Sequence, residues 1–403
     1  MVRAARRCGS VALAIAVTLF WGSGCGGDGS PAQPTPVLWT IAQTDSSSSV
    51  LRSDDLGASW AVRLQPESFA ADLEFVDATT GWVVGGSRIA RTTDGGATWT
   101  EQEIPPEHDG ADLVLSAVRF FDATRGLVTG TEWKSVQSRP YVLRYSRALW
   151  TQDGGETWEE PEGILPNGPG SSAGTPCLAG QGVGFVAGPL RVTDSYGQFW
   201  LTTSEDFSDA GLAFTCTEDD TLWKLDLDYN SAIERYYPVV AVSDDRGRSW
   251  SDRTATVAAF FRPTPDQQTA DPTELRTSPV GIAFSGTSDG WILLTERRLA
   301  TATHHLLLRT SDAGASWERL PDPPFPAPSD PDLYFGDGFT TISLGSRGYG
   351  ALSGASCVLA DGESCVAPAL VITSDGGRSF TASDPQPVLD SPLRRVQRVV
   401  FAW

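Results

Sequence analysis

The amino-acid sequence predicts an all-β fold, a propeller of seven blades with four antiparallel strands each, from three observations. An eight-residue segment recurs with the pattern hydroxyl, any, Asp, any, Gly, any, hydroxyl, aromatic, as in TTDGGATW from Thr92. A second pattern precedes it, in which two large residues seven positions apart flank a turn, as in FVDATTGW from Phe75. The last letters of the chain, VQRVVFAW, match those that open the repeats. Each repeat therefore reads as four short strands joined by turns, which is one propeller blade.

The N-terminus is predicted to be a lipoprotein signal peptide over residues 1–24. Three arginines precede an apolar run, residues 11–21, that is too short to span a membrane as a mature helix. The letters GSGC that end in Cys25 resemble a bacterial lipobox, in which that cysteine carries the lipid. Ordinary cleavage that leaves Cys25 as a thiol is the alternative. Residues 25–36 are predicted to form a flexible tether and residues 37–403 the propeller.

Seven copies of the eight-residue segment, here called boxes, are predicted, one in each blade. Six are clear, and TTSEDFSDAGL is interpreted as a decayed seventh in which Ser204 and Asp206 keep their spacing. The predicted box aspartates are Asp55, Asp94, Asp153, Asp206, Asp245, Asp312 and Asp375. The predicted box aromatics are Trp60, Trp99, Trp158, Trp250, Trp317 and Phe380.

The residue types of the box indicate a structural role. Aspartate can accept N–H groups within its own turn, glycine can take a positive φ, and the aromatic ring can be buried in the blade. Carboxylates at equivalent positions would be spread around the ring, where no two could share a substrate. The box is therefore expected to repeat because the blade repeats.

The spaced pairs place the first two strands of each blade and the closure of the ring. The pairs are Phe75 and Trp82, Phe120 and Leu127, Leu178 and Phe185, Cys216 and Trp223, Phe284 and Trp291, and Ile342 and Tyr349. The box at Ser53 has only one strand before it within the domain, so a strand over Val396–Trp403 is expected to complete that blade. A ring closed in this way leaves no exposed sheet edge.

Charge and cysteine content exclude several classes of function. The formal net charge of −20 makes nucleic acid a poor partner. Without Cys8 and Cys25 four cysteines remain, an even number that suits an oxidising compartment. Cys357 and Cys365 flank a hairpin tip and are the favoured disulfide, and Cys177 with Cys216 follows by elimination. No spacing indicates zinc, and no cofactor is expected.

The box resembles the Asp-box, or bacterial neuraminidase repeat. The longer unit from Phe75 to Trp99 is similar to repeats of the photosystem II assembly and stability factor and its bacterial relatives. That resemblance implies an exported, often lipid-anchored propeller, located in the periplasm or on the cell surface, that binds other proteins and does not catalyse a reaction. A monomer with an unidentified protein partner is expected, and the membrane is reached through the lipid.

Sialidases and other glycosidases also carry Asp-boxes, so a secreted glycoside hydrolase with a glycan ligand is the alternative. A sialidase needs three arginines on the substrate carboxylate and an early arginine motif before its first box. The only arginine between Val37 and that box is Arg52, and no Arg-Ile-Pro-like segment is present. The sequence therefore disfavours a sialidase and leaves other hydrolases open.

Two smaller signals concern binding. Arg52, Arg91 and Arg309 each precede a box, so they could form a basic recognition patch, or pair with acids on the neighbouring blade. The stretch DLDYNSAIE from Asp226 begins like a calcium loop but has Ser231 where an EF-hand needs glycine, so only a looser site stays open. His304 and His305 point to opposite faces of a strand and make a poor metal pair.

Overall fold

Seven of the eight antiparallel sheets in the described residues follow one another around a ring. The computed structural model describes residues 35–135, 142–162, 176–186, 189–206, 213–230, 235–260, 275–298, 304–324, 335–336, 339–354, 356–358, 364–366 and 370–403. The strands of the first half are β1 (Val37–Gln43), β2 (Ser48–Ser53), β3 (Ala61–Leu64), β4 (Asp72–Phe75), β5 (Gly81–Gly85), β6 (Arg88–Thr92), β7 (Thr100–Glu103), β8 (Asp112–Phe120), β9 (Gly126–Ser135), β10 (Val142–Thr151), β11 (Pro176–Leu178), β12 (Gly184–Val186), β13 (Pro189–Thr193) and β14 (Leu201–Asp206).

The second half continues the same pattern. Its strands are β15 (Ala213–Cys216), β16 (Leu222–Asn230), β17 (Arg235–Ser243), β18 (Ser251–Asp252), β19 (Leu275–Ser285), β20 (Asp289–Arg298), β21 (His304–Thr310), β22 (Glu318–Arg319), β23 (Phe335–Gly336), β24 (Phe339–Leu344), β25 (Gly350–Gly354), β26 (Ser356–Val358), β27 (Ser364–Val366), β28 (Leu370–Thr373), β29 (Thr381–Ala382) and β30 (Arg395–Ala402). The helical segments are α1 (Thr254–Val257) and the 3-10 turns Gly180–Gly182, Ala258–Phe260, Ser346–Gly348 and Gln386–Val388. Within the described ranges, no helix has the length and apolar character needed to cross a membrane.

Each of these seven sheets is one blade, and in blades 2 to 7 the strands run outward from the ring axis in chain order. Blades 2 to 6 consist of β4–β7, β8–β10, β11–β14, β15–β18 and β19–β22, and blade 7 of β24, β25, β28 and β29. Blade 1 has the order β30, β1, β2, β3, so its innermost strand comes from the C-terminus. The all-β propeller predicted from the sequence is confirmed.

The ring is closed by β30. It pairs antiparallel with β1, with Val37 opposite Ala402 and Gln43 opposite Arg395. The innermost strands contact one another in the cyclic order β30, β4, β8, β11, β15, β19, β24 and back to β30. The C-terminal segment therefore occupies the position predicted for it.

Two details depart from seven uniform blades. Blade 3 has three strands, and its fourth position is a single bridge between Trp150 and Glu159. A small extra sheet of β23, β26 and β27 accompanies blade 7. In that blade Leu344, and not the predicted Ile342, lies opposite the first residue of the second strand, as Phe75 does in blade 2.

Aromatic stacking between blades explains the spaced pairs. Trp39 in the second strand of blade 1 is fully buried and stacks on Phe75 in the first strand of blade 2, with ring centroids 4.0 Å apart. Trp82 stacks in the same way on Phe120 of blade 3 at 3.4 Å. The two members of a sequence pair therefore pack on different neighbours, one on the preceding blade and one on the following blade. Offset stacking adds to the burial of the rings at each boundary.

Candidate functional site

Each box is a closed set of hydrogen bonds around its aspartate. Thr92 donates its hydroxyl to Asp94 Oδ1 at 2.9 Å and accepts the N–H of Gly96 at 2.9 Å. Thr98 donates its N–H to Asp94 Oδ1 at 2.9 Å and its hydroxyl to Asp94 Oδ2 at 2.6 Å. Both carboxylate oxygens of Asp94 are therefore engaged within their own turn.

The same contacts recur in every clear box. The second hydroxyl residue donates both its N–H and its side chain to the box aspartate in the boxes of Asp55, Asp153, Asp245, Asp312 and Asp375. The Thr98 hydroxyl, followed by the Thr98 N–H, lowers the pKa of Asp94 to about 2. The Ser316 hydroxyl and N–H lower the pKa of Asp312 to about 2 in the same way. These carboxylates stay ionised and act as fixed acceptors, which suits a turn and does not suit a general acid.

The predicted location of the seventh box was wrong. The turn lies at TDSYGQFW, Thr193–Trp200, where Thr193 Oγ1 accepts the N–H of Gly197 at 3.1 Å and Ser195 Oγ accepts the N–H of Phe199 at 2.9 Å. Asp206 is instead the last residue of β14 and pairs with Pro189. Serine replaces the aspartate and phenylalanine the second hydroxyl, so a search that requires aspartate passes over this turn.

The glycine and the aromatic of the box both serve the boundary between blades. Gly96 has φ +78°, and a Cβ there would lie 2.6 Å from the Trp39 ring of the preceding blade. Trp99 meets the Trp39 and Phe75 rings edge-on, at 6.4 and 6.3 Å. Phe284, Trp223 and Trp317 repeat this arrangement between blades 5 and 6.

The three arginines that precede boxes reach across blade boundaries. Arg52 of blade 1 donates Nη1–H to the carbonyl of Gly95 in the blade 2 box at 2.8 Å. The guanidinium of Arg91 lies against Gly154 of blade 3, and that of Arg309 against Gly376 of blade 7. Arg309 also pairs with Asp289 at 3.3 Å. All three side chains therefore pack against the next blade. The sequence-based alternative, pairing with acids on the neighbouring blade, applies to Arg91 with Glu156, whereas Arg52 pairs with Asp54 of its own blade.

The innermost strands of all seven blades line an axial cavity of about 410 Å³. Four charged residues from three of these strands form a network at its wall, of which Glu74, Arg119 and Arg398 line the cavity. Arg119 donates to Asp72 Oδ2 at 2.5 Å, and Arg398 lies 2.8 Å from Glu74 Oε2 and 3.7 Å from Asp72 Oδ1. Burial lowers the pKa of Arg398, but the Glu74 and Asp72 carboxylates outweigh it and raise that pKa above its ordinary value.

The axial network is self-neutralised. Its two carboxylates face two guanidiniums, so it does not provide an isolated ionisable group for acid or base catalysis. Sequence reasoning missed these four residues. A signal existed, since Glu74 and Arg119 immediately precede Phe75 and Phe120, whose rings face a blade boundary. On a strand the next residue points to the other side, which here is the ring axis.

A second cavity, of about 640 Å³, lies on the end of the ring that carries the boxes. Its lining includes Arg309, Arg347 and Arg378, and also Glu218, Asp289 and Asp375. The cavity is thus lined by charged side chains of both signs.

Two exposed apolar side chains lie at the opposite end of the ring. Phe69 and Val114 precede or begin the innermost strands of blades 2 and 3 and are 49% and 43% exposed. They are structurally equivalent, because Gly85 lies against the Phe69 carbonyl and Gly130 against the Val114 carbonyl. Beside them, a buried Glu132 carboxylate accepts hydrogen bonds from the Glu107 N–H at 2.6 Å and from the His108 N–H at 3.2 Å.

The structure contains the Cys177–Cys216 disulfide, which joins β11 to β15. Cys357 and Cys365 are direct cross-strand partners in β26 and β27, a register that a disulfide can bridge. Their side chains lie outside the described residues, so that bond stays a prediction. Cys25 lies outside the described residues as well.

No metal site is found in the described part of the chain. No group of three or more His, Cys, Asp or Glu side chains there could hold an ion. Asp226 accepts the N–H of Leu227 within β16, and residues 231–234 of the suggested calcium stretch lie outside the described residues. His305 is buried and accepts the N–H of Phe339 at Nε2, while the His304 side chain lies outside the described residues.

Comparison with known proteins identifies one matching family and several similar structures. Residues 53–170 match the family described as photosynthesis system II assembly factor YCF48. A structure of YCF48 bound to a D1 peptide is 17% identical, with 83% of this chain and 92% of that chain covered and a TM-score of 0.49. YCF48 from Cyanidioschyzon merolae is 14% identical, with 86% and 88% covered and a TM-score of 0.47.

An ancestral GH74 enzyme is 11% identical, with 88% of this chain and 47% of that chain covered and a TM-score of 0.50. This last likeness shows the propeller fold alone. No curated protein is significantly similar in sequence. The chain is a propeller of the neuraminidase-repeat type, and its residues 53–170 are similar to the photosystem II assembly-factor family.

Proposed function

We propose that this protein is an exported, lipid-anchored propeller that binds another protein and catalyses no reaction itself. The observation that carries the proposal is the identical hydrogen-bond set of the six clear boxes, which commits every aspartate to its own turn. The match of residues 53–170 to an assembly-factor family supports the same function. The alternative is a secreted glycoside hydrolase on the same fold.

The partner surface is proposed at the end of the ring opposite the boxes. The boxes lie at the end where the first strand of a blade turns into the second, since Gly95 of a box donates its N–H to Thr79 of that turn. Phe69 and Val114 lie at the other end, at equivalent positions of adjacent blades. Exposed apolar residues at equivalent positions offer a contact for apolar side chains of a partner.

A capture experiment from solubilised membranes tests this surface. The tagged full-length protein is crosslinked, purified and analysed by mass spectrometry beside two variants. Phe69→Ser/Val114→Ser should lose the reproducible partner, whereas Leu201→Ser, at a 73% exposed residue on β14, should retain it. Equal loss in both variants, or capture unaffected by either, would contradict the assignment of the surface.

A panel of glycans tests the alternative function. Incubation with the wild-type protein should release no sugar from any member. Turnover that survives purification and disappears on one point substitution would establish a hydrolase in place of a scaffold.

The lipid anchor is tested at Cys25. Cys25→Ser should move the protein from the detergent phase to the aqueous phase in a two-phase extraction. The motivation is the apolar run that ends in GSGC. A variant that stays in the detergent phase would place the anchor elsewhere.

A further inference from the structure

The boundary between blades 4 and 5 lacks the ring stack found at three other boundaries. Opposite a glycine near the start of the second strand, blades 2, 3 and 6 carry a phenylalanine that stacks on a tryptophan of the preceding blade. These residues are Phe75, Phe120 and Phe284, opposite Gly81, Gly126 and Gly290. Blade 5 carries Cys216 there, opposite Leu222. The preceding blade offers Phe185, fully buried, in the place of the tryptophan.

The disulfide lies at this boundary. Cys216 is buried in the boundary cluster with Phe185, and Cys177 is its bonded partner on β11, the innermost strand of blade 4. The bond therefore joins the innermost strands of two successive blades where the aromatic stack is replaced by one ring and one sulfur. A covalent link between residues 39 apart restrains the chain more strongly than a lost ring contact would.

The two sulfurs differ in access. Cys177 occupies the strand position equivalent to Glu74 and lines the axial cavity, whereas Cys216 is 8% exposed and faces the blade boundary. A thiolate that enters the cavity meets Cys177 first. The other described boundaries have no such chemically cleavable contact.

We infer that the Cys177–Cys216 disulfide is a redox-sensitive latch of the ring, which replaces aromatic stacking between blades 4 and 5 and can be opened by a dithiol through the axial cavity. The thiolate of the dithiol attacks Cys177 Sγ, the sulfur–sulfur bond breaks, and Cys216 leaves as a thiolate that takes up a proton. The second thiol then displaces Cys177, which is also protonated. The dithiol is oxidised to its cyclic disulfide, and two electrons pass to the protein.

Hydrogen–deuterium exchange with and without dithiothreitol tests the latch. Reduction should accelerate amide exchange about tenfold or more in β11 and β15, and leave β4, which lies between two stacked boundaries, unchanged. Cys357→Ser/Cys365→Ser should respond to dithiothreitol in the same way as the wild type. Cys177→Ser/Cys216→Ser should show the fast exchange without reductant.

A rescue variant separates the latch from a general loss of stability. Cys177→Ser/Cys216→Phe places a ring where the stacked blades have one, and should recover slow exchange in β11 and β15 that dithiothreitol no longer affects. The inference is overturned if reduction leaves β11 and β15 protected, if it accelerates all blades equally, or if the response disappears in Cys357→Ser/Cys365→Ser. Slow amide exchange in the phenylalanine variant supports the inference that the disulfide takes the place of the aromatic stack. A folded phenylalanine variant with fast exchange in β11 and β15 contradicts it.

Discussion

At the scale of single residues, each side chain of the box makes a specific hydrogen bond or packing contact that the turn requires. The first hydroxyl accepts the glycine N–H, and the aspartate accepts the N–H and the hydroxyl of the residue four positions later. The glycine lets a tryptophan of the preceding blade approach the backbone. These groups are all used in the hydrogen bonds and packing of the turn. The residue pattern therefore specifies the structure of the turn.

Gly314 tests the contact between box and tryptophan. It has φ +73°, and a Cβ there would lie 2.4 Å from the Trp223 ring. Gly314→Ala should lower the free energy of unfolding by about 3 kcal/mol, since backbone strain and overpacking add. Gly110→Ala is the matched control, because Gly110 has φ +71° with open space around it, and should cost about 1–2 kcal/mol from strain alone. Equal losses by urea denaturation would show that the ring contact is unimportant.

The pH dependence of stability tests the box carboxylates. The folded pKa of Asp94 is about 2, below its ordinary value of 3.8, so its contribution is present above about pH 4 and is lost as the pH falls through about 2. Asp94→Asn should therefore melt below the wild type at pH 7, and the two melting curves should converge near pH 2. A difference that stays constant with pH would mean that the charge of Asp94 is not what holds the turn.

At the scale of elements, blade 4 shows what the box contributes when it decays. Ser195 supplies one acceptor in place of two, and the half-exposed Phe199 stands where other boxes donate a hydroxyl. The turn nonetheless keeps its shape, with Tyr196 and Gly197 at positive φ and Trp200 buried. The backbone geometry thus depends on the glycine and the first hydroxyl, and the aspartate strengthens it.

Restoring that box is a gain-of-stability prediction. Ser195→Asp/Phe199→Thr re-creates the two side-chain contacts of the other boxes and should raise the free energy of unfolding by about 1 kcal/mol. Ser195→Asp alone should achieve less, because the second hydroxyl is still missing. Denaturant unfolding of the three proteins measures the order, and a double variant less stable than wild type would refute it.

At the scale of the whole molecule, the ring depends on contacts between blades that are distant in sequence. The closure by β30 was predictable, because VQRVVFAW carries the letters that open a blade and the first blade lacked a strand. The inter-blade reach of Arg52 and the axial pairing of Arg119 with Asp72 were not, since both depend on how separate blades are placed against each other. The seventh box escaped because its aspartate had been replaced by Ser195.

The central claim is that the repeated aspartates are equivalent structural groups and that none is catalytic. Thermal melts at pH 7 of six single variants, Asp→Asn at positions 55, 94, 153, 245, 312 and 375, test it most directly. Because each carboxylate accepts the same contacts, every variant should melt below the wild type, and by similar amounts. A functional carboxylate is usually held at a cost in stability. The account would be contradicted if one substitution left the melting temperature unchanged or raised it while the other five lowered it.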